Sequence, residues 1–296
     1  MKFGKVLDPS VVDFTLPSSH PDTLRILGGK PVQKLNISVG CAKWNKAELK
    51  GFYPKGTKDE LSYYSTQFNS IELNATFYSL PSAEQVAVWR DKTPAGFKFF
   101  PKITNTISHY RRLININDVV TQYATSILNF NEKLGMVFLQ LHDNFQPKNF
   151  DRLERFVLDW PCEIPLAIEL RNEKWFSDET VFQETCNLFE SRNITNIIVD
   201  TAGRRDMLHQ RLTTSTAFIR YVGANTDSDY TRLEDWVQLI KYWKEQGLQN
   251  LYFFVHQNLE EASPLLSAHF IQKLNETLGE DLQIPRMAIP TTPTLF

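Results

Sequence analysis

Short apolar or β-branched runs recur along the chain, each followed by a longer amphipathic stretch. The runs are ISVGC from Ile37, SIELN from Ser70, FKFFPK from Phe97, GMVFLQLH from Gly135, PLAIELR from Pro165, NIIVD from Asn196, TAFIRYVG from Thr216 and LYFFVHQN from Leu251. Their length and their content of Val, Ile, Phe and Tyr predict eight strands. Between them, DELSYYSTQF, SAEQVAVWRDK, VVTQYATSILNFNEKL, NFDRLERFVLDW, SDETVFQETCNLFESRN and RLEDWVQLIKYWKEQG place apolar residues near helical spacing. Ser82 with Gln85 has the capping-box pattern, and Ser177 with Thr180 stands where another helix begins without completing it. Strands alternating with helices predict a parallel α/β fold, and eight repeats favour a closed (β/α)8 TIM barrel over an open doubly wound sheet.

Alternate residues of a strand point to opposite faces. In SIELNA, Ile71, Leu73 and Ala75 oppose Ser70, Glu72 and Asn74; in LAIELR, Leu166, Ile168 and Leu170 oppose Ala167, Glu169 and Arg171. The same division sets Lys102 beside Phe100, Gln140 and His142 beside Phe138, Arg220 beside Phe218, and His256 and Asn258 beside Phe254, while Asp200 is in phase with Ile198. One face is apolar throughout, as a helix-facing surface requires. The other begins small or apolar and turns polar towards the C-terminal end, the gradient expected of a barrel with a dry lower interior and a functional mouth. The set expected to converge there is Glu72, Asn74, Lys102, Gln140, His142, Glu169, Arg171, Asp200, Arg220, His256 and Asn258. A self-neutralising salt-bridge network closing the barrel is the bland alternative to an active site, because buried charges must pair, meet water or face a ligand.

The ends of the chain break the alternation. Residues 1–35 are rich in turn-making strings such as LPSSHPD and LGGKP, which predict an arm packed on a barrel spanning 36–284. From Pro285 to residue 296 the sequence is too proline-rich to continue a helix and is expected to form a tail. Composition is ordinary for a globular protein of 296 residues. The net charge of -2 gives no broad basic footprint, which weakens nucleic-acid binding without excluding it through a local groove. Three scattered cysteines, Cys41, Cys162 and Cys186, lack C-x-x-C spacing, so a reducing, cytoplasmic home is expected. Neither a signal-peptide core nor a membrane span is present.

The blocks FNSIELNATFYSLPS, TPAGFKFFPKITNTISH, LGMVFLQLHDNF and LAIELRNEKWF carry a family likeness. With them the chain resembles the bacterial "domain of unknown function 72" proteins, from about Ile37 to about Ala268. The resemblance implies a (β/α)8 barrel and leaves the reaction open. It implies site positions at Glu72, Asn74, Phe77, Tyr78, Lys102, His109, Gln140, Glu169, Arg171, Trp175, Asp200 and Arg220. The chain departs from the family pattern at GCAKW, where Ala42 and Lys43 precede Trp44, at Val222 in RYVG, and at the HQN that ends the last strand. These departures put a substrate shared with the wider family in doubt.

The residue types suggest roles. Glu72 and Glu169, from distant strands, could flank a small substrate as acid and base. Lys102, if desolvated, could act as a base or Schiff-base nucleophile, or pair with a carboxylate. Arg171 could hold a substrate carboxylate or phosphate, or pair with Glu169. His109, after the loop TNTIS, could be a mobile acid/base group. Catalysis is thus assigned to Glu72, Lys102, His109, Glu169 and Asp200, and substrate binding to Asn74, Phe77, Tyr78, Gln140, Arg171, Trp175, Arg220, His256 and Asn258. The aromatics Trp44, Phe77, Tyr78 and Trp175 could stack on a sugar ring or base, or simply pack loops. His142 and His256 with the carboxylates leave a divalent metal open, although no H-x-H or H-E-x-x-H spacing supports one and no cofactor motif is present. The leading expectation is an acid/base hydrolase, isomerase or lyase for a small polar, sugar-like or anionic substrate. A divalent-metal sugar isomerase or phosphodiesterase and a non-catalytic nucleic-acid or protein-binding barrel are the alternatives.

Overall fold

A computed structural model describes residues 4–29 and 33–288; residues 1–3 and 30–32 of the expected arm and 289–296 of the expected tail lie outside the described residues. The strands are β1 (Asn36–Cys41), β2 (Ser70–Leu73), β3 (Lys98–Pro101), β4 (Val137–Gln140), β5 (Leu166–Glu169), β6 (Thr195–Asp200), β7 (Thr216–Gly223) and β8 (Asn250–Gln257). The helices are α1 (Pro21–Leu27), α2 (Glu60–Gln67), α3 (Ala75–Tyr78), α4 (Ala83–Asp91), α5 (Asn117–Ile127), α6 (Phe150–Asp159), α7 (Glu179–Ser191), α8 (Ser228–Gln246) and α9 (Ser263–Leu278). Ser82 caps α4, its Oγ accepting from Gln85 N at 3.2 Å. At α7 the cap is Asp178 rather than Ser177, its carboxylate accepting from Thr180 N and Val181 N.

All the strand pairs are parallel, but the closed eight-stranded barrel expected from the repeat count is not formed. Hydrogen bonds join six strands in the order β1-β8-β7-β6-β5-β4, and β2 pairs only with β3. The result is an open half-barrel with a separate two-stranded ribbon. Side chains explain the break between β1 and β2. Asn69 accepts from Val39 N at 2.9 Å and donates to Ile37 O at 2.8 Å, occupying ladder positions that a strand would need. The Tyr64 hydroxyl accepts from Cys41 N at 2.7 Å and donates to Ser70 O at 3.0 Å. On the other side, Pro101 has no N–H to offer, and β3 meets its neighbour only through isolated bridges, Phe99 to Leu134 and Lys102 to Phe138. The approach at the first seam is close: a Cβ on Gly40 would lie 2.2 Å from Ser70 O.

Alternation sorts the core into layers. Ile71, Leu73, Phe99, Val137, Leu139, Leu166 and Ile168 pack with Tyr64, Val86, Tyr123, Leu153 and Phe189 of the covering helices. Ile198, Ile219, Tyr221, Phe253 and Val255 pack with Trp236 and Ile240 of α8 and Phe270 of α9. The opposite phase forms an interior plug of Phe100, Met136, Phe138, Ala167, Ile197, Val199, Phe218 and Phe254. Each large apolar side chain so buried contributes about 1.5–3 kcal/mol, which fixes the phase of every strand. A one-residue slip would exchange the two layers.

The segment before β1 packs against the connection between β6 and β7 and against α8. His20 N and the Thr23 hydroxyl donate to Gln210 O, Leu212 N donates to the Thr23 hydroxyl, and Trp243 Nε1 donates to Ser19 Oγ. Among the described residues no helix is long and apolar enough to cross a membrane.

Candidate active site at the strand ends

Two residues after the last plug side chain of β3, β4, β5, β7 and β8, on the same face, comes a polar one. Lys102 follows Phe100, Gln140 follows Phe138, Glu169 follows Ala167, Arg220 follows Phe218 and His256 follows Phe254, with Glu72 contributed by β2. The period of two therefore stacks a polar layer directly on the apolar one, at the carboxyl ends of the strands, where open parallel sheets also bind their ligands. All six are nearly inaccessible: Glu72 and Glu169 0%, Arg220 2%, Gln140 and His256 3%, Lys102 5% exposed.

Arg220 is the hub. It binds Glu72 in a fork, Nε to Oε2 at 2.8 Å and Nη2 to Oε1 at 2.9 Å, while its Nη1 donates to Glu169 Oε2. His256 Nε2 lies 2.9 Å from Glu72 Oε2, and Asn74 Nδ2 donates to Glu72 Oε1 at 2.8 Å. Glu169 Oε1 also accepts from Arg171 Nε at 2.7 Å and from Gln140 Nε2 at 2.9 Å. Gln140 then presents its Oε1 to Lys102 Nζ at 2.7 Å. Glu169 thereby fixes the orientation of the amide, and the amide gives Lys102 an acceptor but no countercharge. No carboxylate among the described residues is ion-paired with this amine.

The electrostatics follow. Burial alone would raise the Glu72 carboxyl, but Arg220 and His256 outweigh it and hold it well below the usual carboxylate range. Glu169, likewise buried, is brought down to about 2 by Arg220 and Arg171. Both are fixed negative charges. Lys102 moves the other way: burial, then Arg220 and Arg171, bring its amine down to about 7 against the pull of Glu169 and Glu72. The face of Phe77 covers the amine at 4.0 Å.

A cavity of about 380 Å³ opens beside this amine, lined by Lys102, His256, Asn74, Tyr78, Asn258 and the loops after β1 and β8. A second, of about 300 Å³, shares Asn74 and Tyr78 with it and reaches Glu72 and Trp44. His109 stands in one turn of π-helix, Thr106–Tyr110, edge-on to both Phe77 and His142 with ring centroids 4.9 Å apart. Burial, with His142, Lys102 and Arg171 nearby, lowers it to about 4, so its ring is neutral near pH 7. Its Nδ1 lies 2.8 Å from Ser108 Oγ. A larger groove, about 1130 Å³, lies between α5 and α6, and none of the clustered polar residues lines it.

Two of the expected site residues lie elsewhere. Asp200 points to the helix side of the sheet, accepting from Trp236 Nε1 and Arg232 Nη2 at 2.8 Å each and from Arg205. Trp175 is buried, donating to Phe145 O at 2.7 Å and stacking on the Phe145 ring. Conversely, Lys43, Glu48, Lys50, Glu260 and Glu261 line the cavity without having been expected there. They sit in loops and in the 3-10 turn Glu260–Ala262, where no strand alternation marks a direction. Among the described residues no group of three or more His, Cys, Asp or Glu side chains is placed to hold a metal ion.

Fold and site together define a parallel α/β protein with a charged, cavity-forming face at the carboxyl ends of its strands. The chain belongs to the family described as protein of unknown function DUF72, whose pattern matches residues 38–289. It is similar to the UPF0759 protein YecE of Escherichia coli K12, 28% identical over 282 residues that cover 88% of this chain and 100% of that one. The UPF0759 protein YunF of Bacillus subtilis is 23% identical over 240 residues, covering 76% and 81% of the two chains. A crystal structure of a DUF72 family protein from Enterococcus faecalis V583 matches in fold with a TM-score of 0.63 at 17% identity, covering 84% of this chain and 99% of that one.

Proposed function

We propose that this chain is an enzyme that works by acid/base chemistry on a small polar, sugar-like or anionic, substrate bound at the strand ends, with Lys102 as the group that takes up and returns a proton. The observation that carries this reading is the Lys102 amine itself. It is buried at the wall of a cavity, held by a neutral amide rather than a carboxylate, and poised near neutrality. A group whose pKa lies close to the working pH transfers protons most effectively. A purely structural lysine would gain more from an ion pair. Glu72, Glu169 and Arg220 serve as the fixed frame that sets the field around the amine. Asn74, Tyr78, His256 and Asn258 supply the polar wall, and His109, neutral and edge-on to the Phe77 ring that covers the amine, is a second proton acceptor.

The test is a thermal-shift screen of the full chain against metabolites, followed by turnover of whichever compound stabilises it. Lys102→Met is expected to keep the melting temperature within a few degrees and to lower turnover by about 10²–10⁴-fold. Undiminished turnover in that folded variant would remove Lys102 from the reaction.

A further inference from the structure

We infer that Lys102 acts as a covalent nucleophile, condensing with the carbonyl carbon of a small substrate that also carries a carboxylate or phosphate group. This rests on the reading of Lys102 as the reactive group of the cavity and adds the bond it makes.

The geometry singles out an imine. Lys102 is held rigidly at its base: its backbone N donates to Leu73 O at 3.1 Å and its carbonyl accepts from the Thr76 hydroxyl at 2.7 Å. A neutral amine has two N–H bonds and one lone pair. One N–H is committed to Gln140 Oε1, whose orientation is enforced by the Gln140 amide nitrogen donating to Glu169. The Phe77 ring covers another side. What remains of the nitrogen faces the cavity that Asn74, Tyr78 and His256 also line. The amide oxygen accepts one N–H without taking the proton, so the lone pair of the neutral amine is left for a bond to carbon. A nearby guanidinium and a desolvated site favour the uncharged amine, which is the nucleophilic form.

The electrostatic setting specifies the second substrate feature. Arg220 and Arg171, both at the strand ends, act on the Lys102 amine. An anionic substituent on the substrate would be drawn by this field as the amine loses its own charge. The cavity, about 380 Å³, suits a compound of a few carbons.

The step balances. The amine lone pair forms a C–N bond as the carbonyl π pair moves to oxygen. The ammonium proton then passes through cavity water to that oxygen, giving a carbinolamine. Loss of the oxygen as water, with the second amine proton, leaves C=N, so amine plus carbonyl becomes imine plus one water. Protonated on nitrogen, the imine withdraws electrons from the adjacent carbon and makes its C–H bond acidic.

The experiment traps the imine. The full chain at about pH 7.5 is incubated separately with pyruvate, glycolaldehyde phosphate and uncharged glyceraldehyde, reduced with sodium cyanoborohydride, and mapped by intact and peptide mass spectrometry. An ordinary lysine near 10.4 keeps only roughly one amine in a thousand unprotonated there. One adduct on the Lys102 peptide is expected, at least about tenfold above any surface lysine, with one or both anionic probes and much less with glyceraldehyde. The probe that labels distinguishes carboxylate from phosphate. Lys102→Arg should fold with unchanged circular dichroism and take no adduct there. Labelling spread over surface lysines, or no Lys102 adduct with any probe, overturns the covalent role; equal labelling by glyceraldehyde overturns the anionic requirement. If Lys102→Met abolishes turnover while the wild type yields no adduct, proton transfer stands and the imine falls. If Lys102→Met keeps its turnover, the parent reading falls as well.

Discussion

Glu169 and Asp200 are both wholly buried carboxylates at the ends of neighbouring strands, yet they lie on opposite faces of the sheet. Asp200 is saturated by donors from outside the strands: Arg232 and Trp236 of α8, and Arg205 from the loop after β6. Phe14 of the N-terminal segment lies over Arg232, its ring 4.2 Å from the guanidinium. That cluster is a weld between helix, sheet and N-terminal segment. Glu169 is served by residues at strand ends, Gln140, Arg171 and Arg220, and the chain of bonds running through Gln140 stops at an amine without a counter-ion beside a cavity. The contrast separates two uses of buried charge: one network closes on itself, and the other leaves one member unneutralised where a ligand can reach it.

The sharpest way to break the comparison is Arg220→Met. It strands two buried carboxylates, so a loss of about 3–5 kcal/mol in denaturant unfolding, or failure to fold, is expected. A variant of near wild-type stability would mean that Glu72 and Glu169 are not held by this guanidinium. The next effect is one of pH. The folded value of Lys102 lies at about 7, below its ordinary 10.5. Between those values the unfolded chain binds the extra proton, so stability rises with pH, by at most about 1.4 kcal/mol per pH unit. Unfolding series of wild type and Lys102→Met across this window should diverge, with the wild type gaining. Parallel curves would show that the amine is not desolvated. Glu169 gives a slope of the same sign in a lower window: its contribution is full above about 4.5 and lost as pH falls towards 2.

On the other face, Trp236→Phe removes the indole N–H from Asp200 and should cost about 1.5–3 kcal/mol while leaving Lys102 labelling intact. Altered labelling would show that the two networks act as one. Smallest is Ser82→Ala, which loses the cap of α4 and about 1 kcal/mol, checked by the same denaturation. A cost near zero would mean that the cap bond does not contribute.

Strand positions and their phase were readable in the sequence because burial imposes a strict period of two. Glu72, Lys102, Gln140, Glu169, Arg220 and His256 follow from it. Asp200 shows the rule being overlooked: its phase partner Ile198 packs against the helices, and Arg232 with Trp236, four apart on α8, already offered the matching donors. Strand closure was not readable, since it turns on where Asn69 and Tyr64 direct single polar groups. Helix α9 also escaped, although its Phe270, Ile271 and Leu274 are buried. The cavity-lining lysines and glutamates of the loops leave no periodic trace.

The bare α-carbon of Gly40 sets the clearance between the sheet and the two-stranded ribbon. Even a methyl group there would act as a wedge, driving β2 outward and dragging Glu72 off the guanidinium that anchors it. A position with no side chain and no chemistry of its own thus governs the spacing on which the charged layer depends.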